Sequence, residues 1–177
     1  MKNLFIVLFL LFPILAFSQK IEKNEVDDFT GNKVIYTSWE KIKGGNVLTG
    51  RDNLMFMLRY ENGTTYLHLK WITVEITSIS NDAKLMFKFN DDSVATLNSI
   101  SHVLSGKGEG VTGLSWSAIM GIHAMYKGDD IIKFSGDAVA TKVRVYSTDG
   151  YVDIDIKDKD GAKINKAYSL LTAAIKK

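Results

Sequence analysis

Beyond residue 30 the chain alternates apolar and polar positions in short runs, and Gly, Asn and Asp interrupt the runs. A period of two is that of a strand with one buried face, so the pattern predicts a series of hairpins. The clearest joins Leu54–Tyr60 to Thr65–Trp71 through Asn62-Gly63. Asn-Gly accepts the two positive-φ conformations of a type I′ turn, and that loop sets Leu58 opposite Leu67, Phe56 opposite Leu69 and Leu54 opposite Trp71. Turn chemistry and apolar face agree, which a slip by one residue would not allow.

A second hairpin, Val139–Tyr146 with Tyr151–Ile156 around Asp149-Gly150, is expected to place Val145 against Ile154 and Val143 against Ile156 inside. Outside, Arg144 would face Asp155 and Tyr146 would face Asp153. A third joins Leu85–Phe89 to Val94–Leu97 through Asn90–Ser93, and Lys33–Trp39 reads as a strand after the turn Thr30-Gly31-Asn32. Within Val111–Tyr126 the residues Leu114, Trp116, Ala118, Met120, Ile122, Ala124 and Tyr126 fall on one parity, which predicts one long strand bent at Gly121. Two helices follow: a short one over Asp129–Ser135, with Gly136 just past its end, and a longer one over about 158–175. In the longer helix Ile164, Ala167, Tyr168, Leu171 and Ile175 recur at helical spacing, and acids at its start and lysines at its end suit the dipole. The sum is an α+β fold: a mainly antiparallel curled sheet or sandwich of hairpins, roughly seven to nine strands, with the C-terminal helix packed on one face.

The first residues follow another pattern. Lys2 precedes an apolar run from Leu4 to Phe17, and Ala16-Phe17-Ser18 puts small residues ahead of a cut between Ser18 and Gln19. This predicts a cleaved secretory signal peptide over 1–18 and a single β-rich domain over 19–177. The run is shorter than the roughly 18 to 20 residues of a bilayer-spanning helix. The mature chain is therefore expected to carry no transmembrane segment and to be exported and soluble, periplasmic or extracellular.

Composition narrows the function classes. The full chain has 22 bases and 20 acids, a formal charge of +2, and no cysteine. Loss of Lys2 with the signal leaves the domain near neutrality, without the basic footprint of a nucleic-acid or anionic-membrane binder. Without cysteine there is no disulfide, no thiolate nucleophile and no cysteine-ligated metal. Asp153–Gly161 ends in Asp-x-Asp-Gly, but an EF-hand alignment places Ile156 at the first ligand and Ala167 at the last, so no calcium site is expected. Ser105–Gly110 resembles a phosphate loop only superficially, because Ser101 and Gly108 stand where the motif needs Gly and Ser or Thr. His68, His102 and His123 lack metal-motif spacing, and His102 with Ser101 or Ser105 forms no nucleophile elbow. No cofactor, no metal and no enzyme activity are expected from these residues.

One feature escapes a simple inside/outside account. The first hairpin is apolar on its second face as well, through Met55, Met57 and Tyr66, beside His68. Packing of the C-terminal helix on that face would explain it. A ligand or partner surface there, at Met55, Met57, Tyr66 and His68, is the functional alternative.

The signal ending Ala-Phe-Ser-Gln, with Glu25–Gly31, Tyr36–Glu40 and Lys142–Val152, resembles small exported, uncharacterised proteins of Bacteroidota. The resemblance covers most of the mature chain; it implies an origin and a compartment and transfers no site. The sequence thus leads to an exported non-enzymatic domain with a binding or structural role in the cell envelope, its partner an unknown envelope protein. The alternative is a carrier of a small apolar or amphipathic ligand between sheet and helix, and an enzyme ranks third.

Overall fold

The computed structural model describes residues 19–44, 53–73, 76–107 and 120–177. The predicted signal segment and most of the Val111–Tyr126 stretch lie outside them. Strands are β1 (Ile21–Val26), β2 (Lys33–Thr37), β3 (Glu40–Lys43), β4 (Asn53–Glu61), β5 (Thr64–Thr73), β6 (Ser78–Ile79) and β7 (Lys84–Phe89). There follow β8 (Val94–Ser99), β9 (Val103–Leu104), β10 (Gly106–Lys107), β11 (Met120–Lys127), β12 (Ala140–Ser147) and β13 (Gly150–Asp155). A 3-10 turn spans Asp129–Ser135, and the C-terminal helix α1 spans Asp158–Ile175.

The main sheet is antiparallel throughout, with eleven strands rather than the expected seven to nine. Its order is β1-β2-β4-β5-β11-β8-β7-β12-β13, with β3 beside β4 and β10 beside β11, while β6 and β9 form a separate pair. It is one open curled sheet, not a sandwich. Helix α1 lies across its inner face and touches β2, β3 and β4 near one end of the order and β12 near the other. The two ends approach each other where the Lys43 ammonium donates to the Asp155 carbonyl at 3.2 Å.

The first hairpin forms as its turn dictates. Asn62 and Gly63 hold φ of 47° and 80°, and Leu54, Phe56 and Leu58 oppose Trp71, Leu69 and Leu67. In the last hairpin the positive φ falls on Gly150 alone, at 122°, so the loop closes through Thr148-Asp149 and Ser147 pairs with Gly150. The register therefore lies two residues from the expected one: Arg144 faces Asp153, Lys142 faces Asp155, Val143 faces Ile154 and Tyr146 faces Tyr151. A shift of two preserves the faces, so Val143, Val145 and Ile154 stay buried. The turn is held from outside, since Thr77 Oγ1 donates to the Asp149 carboxylate at 2.6 Å and Thr148 N–H to the Ser78 carbonyl. β11 pairs with β5 without a register break from Met120 to Tyr126, so no bulge falls at Gly121, and the stretch before Met120 lies outside the described residues.

The interior is filled by side chains. Phe56, Phe87, Phe89, Tyr126 and Phe134 are fully buried and share one cluster with Ile164, Ala167, Leu171 and Ala174 of α1. Gly161 permits the closest approach, since a Cβ there would lie 2.1 Å from the Ala140 carbonyl oxygen of β12. The carbonyls at the end of α1 are received by Lys33 of β2, whose ammonium lies 3.2 Å from that of Ala174 and 3.4 Å from that of Ile175. This complements the negative end of the helix dipole with a cation from another element.

Candidate functional site

The second face of β4 and β5 is where the sequence-predicted surface residues lie. The register sets Met57 opposite His68, Arg59 opposite Tyr66 and Met55 opposite Lys70. Met57 and His68 are buried, while Met55 and Tyr66 are half-buried. The helix does not cover this face: its buried residues belong to the inner cluster with Leu54, Phe56 and Leu58. Packing by α1 is therefore not the reason for the second apolar face.

His123, set aside in the sequence for lacking metal-motif spacing, and Trp39, read there as the end of a strand, complete the cluster. Strand β11 lies beside β5 with His123 opposite Lys70, which brings His123 Nε2 to 3.0 Å from His68 Nδ1. Ser38-Trp39 interrupts the pairing between β2 and β3, which both run along β4, and the Trp39 indole meets both imidazoles edge to face, 6.4 Å from His68 and 5.5 Å from His123. The Lys70 ammonium lies 4.2 Å from the centre of the Trp39 ring, a cation–π contact. Arg59 carries an ion pair with Glu61 and also faces the Tyr36 ring.

The geometry of the histidine pair defines its chemistry. The ring centres are 5.2 Å apart and the facing nitrogens 3.0 Å. The difference is about twice the distance from an imidazole's centre to its own nitrogen, so both nitrogens lie nearly on the line between the rings. That is the geometry of a straight N–H···N hydrogen bond. Chelation of one metal ion would instead need both lone pairs turned toward a common point off that line. Among the described residues no group of three metal-ligating side chains forms.

His68 is 5% exposed, and its Nε2 has no partner among the described residues. Burial, reinforced by the charges of His123, Arg59 and Lys70, holds its pKa down at about 3. His68 therefore stays neutral at ordinary pH, and whichever ring nitrogen carries its proton, a straight bond to His123 is available. Asn53 at the start of β4 is also buried on this face, with its Oδ1 unpaired.

His102 is exposed and does not join the pair. Ser18 lies outside the described residues, while Gln19 is buried with neither amide atom paired among the described residues. Asp158 and Asp160 open α1, and Asp153 is the ion-pair partner of Arg144, at 2.5 and 2.7 Å. No helix among the described residues is long and apolar enough to cross a membrane. Comparison with protein-family models, with curated proteins and with solved structures finds no match.

Proposed function

We propose that this chain is an exported, non-enzymatic domain with a binding or structural role in the cell envelope, and that it binds through the outer face of β4, β5 and β11. The observation that carries the reading is the contrast between the two faces. The inner face is filled by its own aromatic residues and by α1, whereas the outer one gathers half-buried Trp39, Tyr66 and Lys70 and exposed His123 around buried His68. Aromatic residues and methionine are enriched where proteins meet partners. The apolar run ahead of Gln19 supports export and the resemblance supports a Bacteroidota envelope, with the mature chain beginning at Gln19.

A second reading rests on two polar atoms inside the sheet. Trp71 Nε1 and Tyr126 Oη are buried among apolar side chains without acceptors among the described residues. Burial pushes the Tyr126 phenol pKa well up, so it remains a neutral donor. A carried amphipathic ligand with an acceptor atom would satisfy such donors. Native mass spectrometry of protein purified from its own envelope separates the readings. A species of residues 19–177 alone is the expected result. A retained small-molecule mass would overturn the surface-binding reading in favour of the carrier.

A further inference from the structure

The β1–β2 connection presents an aromatic side chain to solvent on a hydrogen-bonded turn. The Asp27 carboxylate accepts from Phe29 N–H at 3.0 Å, Thr30 N–H at 2.7 Å and Thr30 Oγ1–H at 2.9 Å. Gly31 N–H adds a bond to the Asp27 carbonyl, and Asp27 N–H donates to Asn32. On this locked turn Phe29 is 100% exposed and Val26 60%, with Glu25, Asp27 and Asp28 around them. A lone exposed apolar residue is ordinary. Five hydrogen bonds fix the backbone of the acidic turn that carries this ring, so its point of attachment is preorganised.

The same chain carries a pocket that matches it. On the outer face of β7, β8, β12 and β13 a cavity of about 190 Å³ is lined by Met86, Lys88, Val94, Lys142, Arg144 and Asp153. Its floor is apolar, with Val94 37% exposed. Sites for small ligands span roughly 300 to 1,000 Å³, whereas a cavity of about 150 Å³ accepts a benzene ring. The size therefore suits one aromatic side chain. Three cations face one carboxylate in its lining. Lys88 and Lys142 pair outward with Asp92 and Asp155, which are 86% and 81% exposed. Such surface pairs are weak and exchange readily for other acids.

Knob and pocket cannot meet within one molecule. Lys33 ties the knob's turn to the C-terminal end of α1, while β13 ends three residues before the helix begins. The 18 residues of α1 separate those points by about 27 Å.

We propose that Phe29 of one copy of this chain docks in the Met86–Val94 pocket of a second copy, with Asp27 and Asp28 against Lys88 and Lys142, so that the protein self-associates head to tail. Such a contact uses two different patches, so every added copy leaves one knob and one pocket free, and the assembly grows as a chain or closes as a ring. A one-ring contact buries little area, which makes the association weak and concentration-dependent.

The test uses two variants that each keep one half of the contact: Phe29→Ala, which lacks the knob, and Lys142→Glu, which reverses a charge of the rim. In sedimentation velocity the unaltered protein is expected to gain average mass with concentration and to lose that gain in high salt, while each variant alone associates about tenfold more weakly or not at all. Adding unlabelled Lys142→Glu protein, which keeps its knob, to ¹⁵N-labelled Phe29→Ala protein should move the amide signals of Lys88, Val94 and Arg144. Asp28→Lys introduced into Lys142→Glu should restore self-association. A mass independent of concentration, association unchanged in Phe29→Ala, or shifts confined to other residues would overturn the proposal.

Discussion

His68 and Gly161 show how single residues constrain this protein. A histidine with a folded pKa near 3 and an unfolded value of about 6.5 binds its proton only in the unfolded chain across that interval. Its contribution to stability is thus fully present above pH 6.5 and is lost as pH falls toward 3. The loss reaches at most about 1.4 kcal/mol per pH unit. Denaturant titrations of the wild type and of His68→Leu at stepped pH should show that extra slope in the wild type only; parallel curves would count against a buried neutral imidazole. At Gly161 an added methyl would stand 2.1 Å from a backbone carbonyl oxygen and 2.8 Å from Val139 Cγ1. Gly161→Ala is therefore expected to destabilise by about 2–3 kcal/mol, although alanine is the better helix former. Unfolding midpoints measure it. The sequence displays Gly161 as part of a calcium-like string, and only the crossing of α1 over β12 reveals why it is small.

At the level of elements, hairpins were legible wherever local chemistry decides them. Asn62-Gly63 dictates a two-residue type I′ loop, and the whole β4–β5 register follows. Asp149-Gly150 looked equivalent but places its positive φ on Gly150, one position later in the loop, a choice fixed by contacts from Thr77 and Ser78 that are remote in sequence. The consequence is measurable: a double-mutant cycle should find Arg144 coupled to Asp153 and uncoupled from Asp155. Coupling to Asp155 alone would reinstate the other register. The outer-face site was half visible for a related reason. Parity placed His123 away from the apolar face of its strand, but nothing local says that β11 lies beside β5, or that Trp39 turns over both histidines. Lys33 is a similar case, since its partner is 141 residues away. Lys33→Met should fray the end of α1, costing about 0.5–1 kcal/mol and speeding amide exchange over residues 172–176.

For the whole molecule, the strand order and the position of α1 divide labour between two faces. A helix that bridges both ends of a curled sheet buries the inner face against itself, so a domain without disulfides holds together through one continuous apolar core. The outside carries the Trp39–His68–His123 cluster, proposed as the binding surface, and the Phe29 and Met86–Val94 features proposed to mediate self-association. Export belongs to this scale too. Amino-terminal sequencing of the protein recovered from its own cells is expected to begin at Gln19, and a chain still starting at Met1 would contradict a cleaved signal.

The most direct measurement of binding through the outer face is site-specific photo-crosslinking in the producing cells, with the reactive residue placed at Tyr66 on that face and, separately, at exposed Ser169 on α1. The proposed role predicts one discrete adduct from position 66 that disappears when Trp39→Ala is added, and no matching adduct from position 169. No adduct at 66, or the same adducts from both positions, would contradict it.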